Sequence, residues 1–175
     1  MTVTIEPLGP EHTDAVQQLA SDPEIGRTSN VPSPYPSDGA ATFIAEAARQ
    51  RARGTQFSFA IIANGTVVGV CSLVGVGETP GSAQLGYWVG RPYWGRGHAT
   101  VGSRQVLEFG FNVLGLTAVQ ANCLPGNAAS QRVLMKLGFR FAQLGPPRKE
   151  SKWPRSQMVE YWEVRRSDES QLTTG

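Results

Sequence analysis

Residues 88–100 read WVGRPYWGRGHAT, thirteen positions that hold Gly90, Gly95, Gly97 and Pro92 together with Arg91, Arg96 and two tryptophans. An apolar strand-like run, SAQLGYWV (82–89), leads into this stretch. Beyond it Val106, Leu107, Gly110, Val113 and Leu114 recur at helical spacing, which predicts a helix with one buried face. A strand, a glycine-rich turn and a helix in succession decide the reading of the chain. Gly95 and Gly97 lack a Cβ, so the turn can take positive φ and set its amides on one side at a helix N-terminus. Such amides, aided by the helix dipole, make a nest for phosphate oxygens.

Three phosphate-binding loops compete for this stretch. A Walker A loop requires a Gly-Lys-Ser/Thr ending, and GRGHAT has no lysine. A dinucleotide fingerprint requires a third glycine or alanine where Thr100 stands and an acidic residue about 20 positions on, where Gly115 to Gln120 offers none. The third is the pyrophosphate loop of coenzyme A, with the order strand, splayed turn, helix, strand.

Outward from the loop, TVTIEPL predicts a first strand and residues 11–20 a helix. SDPEIGRTSNVPSPYPSDG (21–39) is too rich in Pro, Ser, Gly and Asn for regular structure and reads as a long functional loop. Ser37 or Asp38 is the candidate cap of a helix over GAATFIAEAARQRARG, ended by Gly54. QFSFAII and TVVGVCSLVGV flank Asn64-Gly65, a strong hairpin signal. TAVQANC predicts a strand, and Asn127 to Leu137 a helix capped by Asn127 and stopped by Gly138. FRFAQL and QMVEYWEV predict two last strands around the basic loop GPPRKESKWPRS. The expected order is β-α-α-β-β-β-α-β-α-β-β, an α/β (α+β) fold with a mixed sheet. Residues 1–166 are expected to form one domain, with 167–175 as a polar, disordered tail.

The chain has 175 residues, of which 40% are hydrophobic and 17% charged, a globular balance. Net charge is +2, but residues 1–90 carry four basic and eight acidic side chains, and residues 91–175 twelve and six. A basic half that begins at the glycine loop suits a polyanionic ligand, whereas nucleic acid demands a denser basic surface. Cys71 and Cys123 are the only cysteines and have no ligand-spaced neighbour, so neither a metal site nor a disulfide framework is expected. The sequence shows no membrane segment or secretory signal, and a cytoplasmic setting is the simplest expectation.

GYWVGRPYWGRGHAT (86–100) and NAASQRVLMKLGF (127–139) together resemble the GNAT superfamily of acetyl-CoA-dependent N-acetyltransferases, in particular the branch of ribosomal-protein N-terminal acetyltransferases. The resemblance covers nearly the whole chain. It implies a mostly antiparallel sheet of about seven strands, splayed in the middle, with helices on both faces. It also implies that pantetheine lies where 84–89 parts from 117–123, with a β-bulge near Tyr87 to Gly90 releasing the backbone of Trp88 and Val89. The loop Trp94, Gly95, Arg96, Gly97, His98, Ala99 and Thr100 would hold the pyrophosphate. Asn127 resembles the family asparagine that contacts pantetheine, and it also serves as a helix cap. Pro92 stands where the family motif opens with Gln or Arg, which shifts weight from arginine side chains to the amides of 95–100.

In the resembled family the amine attacks the thioester directly, and no cysteine or serine paired with a histidine argues otherwise. The family tyrosine that protonates the thiolate is replaced by Leu134, leaving Ser130, which matches the serine of the ribosomal branch, as the candidate acid. Gln84 occupies the usual place of a glutamate base and cannot accept a proton. Glu78, Glu160, Glu163 and His98 are the substitutes, with ordered water as the remaining option. The acceptor is expected between the loops 27–38 and 146–155, with Tyr35 and Trp153 as apolar contacts and Asp38 or Glu24 attracting a cationic amine. The readings are N-acetylation of a protein or peptide N-terminus, acetylation of a small amine such as an antibiotic, polyamine or amino acid, or a non-catalytic acyl-CoA-binding module. A homodimer is expected from the resembled branch.

Overall fold

A computed structural model describes residues 2–169. Its strands are β1 (Val3–Pro7), β2 (Gln56–Ala63), β3 (Thr66–Val74), β4 (Ser82–Val89), β5 (Ala118–Cys123), β6 (Arg140–Gly145) and β7 (Val159–Arg165). They form one sheet in the order β1-β2-β3-β4-β5-β7-β6, antiparallel except where β4 runs parallel to β5. The helices are α1 (Thr13–Ala20), α2 (Pro23–Thr28), α3 (Gly39–Arg53), α4 (His98–Asn112), α5 (Ala128–Lys136) and α6 (Arg166–Glu169).

Strand alternation divides the core between the two faces. Phe59, Ile61 and Leu73 pack with Val106, Leu107 and Phe111 of α4 and with Leu134 of α5. Ala60, Ile62 and Val70 pack with Val16 of α1 and Ile44 of α3 on the other face. Helices therefore cover both sides. Gly102 lets α4 lie close on β2, since a Cβ there would come within 2.9 Å of the Ile61 side chain. The Asn64-Gly65 turn takes positive φ at both residues, 49° and 79°, matching the hairpin twist.

Three details depart from the sequence expectations. The stretch 21–39 is not loop throughout: Pro23–Thr28 forms α2, its cap made by Asp22 Oδ1 accepting from the Glu24 amide at 3.0 Å, with Ile25 buried beneath. The signals were an N-cap aspartate followed by proline at the first helical position. No bulge occurs at Tyr87 to Gly90, because β4 keeps a continuous register on β3 from Val74↔Gln84 to Gly69↔Val89. The irregularity sits instead between β2 and β3, where Ile61 faces Gly69 and Ile62 faces Val67, leaving Val68 as the extra residue. Residues 166–169 form α6, which runs three residues past the expected domain end at 166, and the rest of the expected tail, 170–175, lies outside the described residues.

Candidate active site

The sheet is open at its centre. β4 and β5 pair from Ser82↔Ala118 to Leu85↔Ala121, and beyond that point Gly86–Val89 and Asn122–Cys123 diverge. This divergence, not a bulge, frees one edge of β4. Beside it α5 begins: Asn127 Oδ1 accepts from the Ser130 amide at 3.2 Å, the expected cap.

Two cavities meet at the fork. One, of about 600 Å³, is lined by Trp88, Val89, Trp94, Gly95, Gly97, His98, Ala99, Thr100, Asn127 and Ser130, so it gathers every sequence-predicted cofactor residue except Arg96. Arg96 is exposed and leans toward the Tyr93 ring, 6.0 Å from its centroid. Gly95 and Gly97 both adopt positive φ, 73° and 80°, and Gly97 caps α4 without a side chain. Among the described residues no backbone acceptor answers the amides of 95–100, the signature of an anion nest at a helix start. His98 is buried, and its Nδ1 has no hydrogen-bond partner. Burial, and then the Arg96 charge, push its pKa below the usual imidazole value, so the ring is neutral near neutrality. The Val89 carbonyl is already taken, accepting from the Trp94 indole at 2.6 Å.

The other cavity, of about 920 Å³, is walled by the two expected loops, including Tyr35, Asp38, Arg148 and Trp153. Lys152 ties the loops together by donating from Nζ to the carbonyls of Gly26 and, at 2.7 Å, Val31. Glu24 is absent from this lining and instead pairs with Arg27 at 2.8 Å. Asp38, Glu78 and Glu150 leave the lining net acidic despite Arg148.

Tyr87, Trp88 and Ser130 belong to both cavities. At this throat the Tyr87 hydroxyl lies 2.8 Å from Ser130 Oγ and 3.3 Å from the Ser130 carbonyl. Burial drives the phenol pKa up, and Tyr87 stays protonated. Its signal in the sequence was a hydroxyl-bearing aromatic in step with the buried Leu85 and Val89, on the sheet face that α5 covers. Leu134, where the family tyrosine would stand, is fully buried in the core.

The candidate bases fare unequally. Glu160 accepts from Gln131 at 3.0 Å and the Trp162 indole at 3.1 Å, and Glu163 pairs with Arg165 at 2.9 Å. Neither lines either of these two cavities. Glu78 does, but it is held at 3.3 Å by Arg148, which also donates to Gln84 Oε1 at 2.6 Å. His98 lines only the glycine-loop cavity. Burial raises the pKa of both Cys71 and Cys123 to about 12, so neither thiol is a ready nucleophile at neutral pH. Among the described residues no group of three or more metal-ligating side chains exists, and no helix is long and apolar enough to cross a membrane.

The sequence matches the family model for the acetyltransferase (GNAT) domain over residues 2–140. The chain belongs to the GNAT acetyltransferases. It is an acyltransferase with acetyl-CoA as its acyl donor. It is 26% identical over 141 residues, 79% of each chain, to a Bacillus licheniformis protein described as uncharacterized N-acetyltransferase p20. The fold of this GNAT chain superposes on RimL, a ribosomal alpha-N-protein acetyltransferase solved with coenzyme A, with a TM-score of 0.81 at 16% identity over 94% of each chain. It superposes equally on a Vibrio cholerae spermidine N-acetyltransferase solved with CoA and spermine, with a TM-score of 0.79 at 16% identity, covering 96% of this chain and 98% of that one.

Proposed function

We propose that this acetyltransferase transfers acetyl from acetyl-CoA to the primary amine at a protein or peptide N-terminus, by direct attack within the Tyr87–Trp88–Ser130 throat. The observation that carries the reading is the meeting of two cavities at that throat, one ending in an anion nest and the other open to an acceptor. The nest fits coenzyme A: the unanswered amides of 95–100 suit pyrophosphate oxygens, and the neutral His98 lines the same cavity. Trp88 and Val89 on the free edge of β4, and the Asn127 side-chain amide, would line pantetheine, while Trp94, Ala99, Thr100 and the exposed Arg96 complete the loop. Acetyl-CoA supplies an activated acyl group and a thiol leaving group. Ser130 would hold a proton at Oγ for the departing sulfur. The acidic lining of the acceptor cavity would attract the ammonium form of the amine, and water would take its proton, because the candidate carboxylates are paired or lie elsewhere.

Peptide is favoured because about 920 Å³ between two extended loops is at the upper end of small-molecule sites and admits several residues. The three carboxylates at Asp38, Glu78 and Glu150 favour the second reading, a polyamine acceptor. Thiol release from acetyl-CoA, measured with N-terminally free peptides on one side and spermidine and spermine on the other, separates the two. Turnover with polyamines alone would overturn the peptide reading. We also place the protein in a reducing cytoplasm, a reading that its two free, buried cysteines support, and expect a homodimer on the family resemblance.

A further inference from the structure

We infer that Tyr87 is a proton-relay partner that positions and recharges Ser130, so that the acid at the throat is a hydroxyl pair rather than a lone serine. This rests on the reading of Ser130 as proton donor. The two oxygens are 2.8 Å apart, on different elements, β4 and α5, and the pair opens on both cavities. Either hydroxyl can donate. When Tyr87 donates to Oγ, the single proton of Ser130 is directed elsewhere, and the Ser130 amide is already committed to Asn127. A serine that gives up its proton would be left as an alkoxide in a half-buried site, and the neighbouring phenol, the stronger acid, relieves that charge. The Tyr87 pKa, raised by burial, keeps its proton in place until it is needed.

The bookkeeping of atoms is complete. The C–N bond to the acceptor forms as the C–S bond breaks, and the sulfur takes the Ser130 proton. Ser130 takes the proton of Tyr87, and Tyr87 regains one from the surplus proton on the new amide nitrogen through cavity water. Amine and thioester become amide and thiol, with no other reactant. The arrangement differs from the family tyrosine, whose position here is the buried Leu134.

Two measurements test the pair. In the first, kcat and KM for acetyl-CoA are compared for wild type, Tyr87→Phe, Ser130→Ala and the double variant, with an equimolar mixture of N-terminally free peptides and spermidine as acceptors. Tyr87→Phe, which keeps the ring and its packing, should lower kcat about 10- to 100-fold and leave the KM for acetyl-CoA unchanged. The double variant should be no slower than Ser130→Ala, because the relay is one unit. The second measurement needs no acceptor: the thiolate absorbance of bound coenzyme A is followed through a pH titration. Hydroxyls that donate to the sulfur lower the thiol pKa, so both single variants should raise it, Ser130→Ala more than Tyr87→Phe. If Ser130→Ala changes neither quantity, the Ser130 reading itself fails. If Ser130→Ala changes both and Tyr87→Phe neither, the relay alone fails. Additive effects in the double variant would also overturn it.

Discussion

Arg148 donates from Nη1 to Gln84 Oε1 at 2.6 Å and from Nη2 to Glu78 at 3.3 Å, so a cation from the basic loop is held against the side chain at position 84. A carboxylate placed at 84 would meet that guanidinium, which would hold its pKa below the ordinary range and make it a weak base. Gln84→Glu alone is therefore expected to leave kcat within about threefold of wild type, whereas adding Arg148→Ala should free the carboxylate and raise kcat about tenfold. The pH–rate profiles of the two variants check this: a new acidic limb near an ordinary carboxylate pKa should appear in the double variant only.

Gly97 sits at φ 80° at the start of α4, with open space where a Cβ would go, so its cost of substitution is conformational rather than steric. Gly97→Ala should strain the nest by about 1–2 kcal/mol. The expected result is an acetyl-CoA KM raised about tenfold with kcat nearly unchanged, read from steady-state kinetics or from calorimetric binding of coenzyme A.

The glycine loop, the Asn64-Gly65 hairpin and the Asn127 cap were legible because each is a local rule, a backbone geometry that one or two residues dictate. Gly54, at φ 73° after α3, belongs with them. The helix α2 was missed because its turn is short and lies among prolines, although Asp22 and Pro23 mark its start. The Tyr87–Ser130 contact and the Arg148–Gln84 contact join residues 43 and 64 positions apart, and no periodicity reports a pairing between side chains on different elements. The supposed bulge in β4 failed for a related reason. A gap in a sheet can come from one strand kinking or from two strands parting, and only register distinguishes them.

His98 gives a pH dependence with a definite sign. Its folded pKa lies below the unfolded value of about 6.5, so below that pH the unfolded chain binds a proton that the folded one resists. The contribution to stability of the ligand-free protein is level above about pH 6.5 and declines as pH falls from there toward the depressed folded pKa. In thermal melts of the ligand-free protein across that window, His98→Asn should lose less Tm than wild type does. Parallel curves for the two proteins would remove His98 as the source.

Leu134 is fully buried among the side chains that seat α5 on the sheet. Leu134→Ala should cost about 2–5 kcal/mol of stability, measured by urea denaturation. Leu134→Tyr should destabilise by overpacking, by about 1–3 kcal/mol, and leave the rate of a Ser130→Ala background unrescued, since a side chain at 134 points into the core.

The fork between β4 and β5 is also a fulcrum. Four residue pairs, Ser82↔Ala118 to Leu85↔Ala121, carry all the strand pairing between the β1–β4 half of the sheet and the β5–β7 half. A molecule wedged beyond Leu85 would bear part of the load that a longer ladder carries, bracing two panels that otherwise meet along a short seam. Held there as proposed, the acyl donor would be a mechanical part of the enzyme, and release of coenzyme A would return the joint to its four-pair seam.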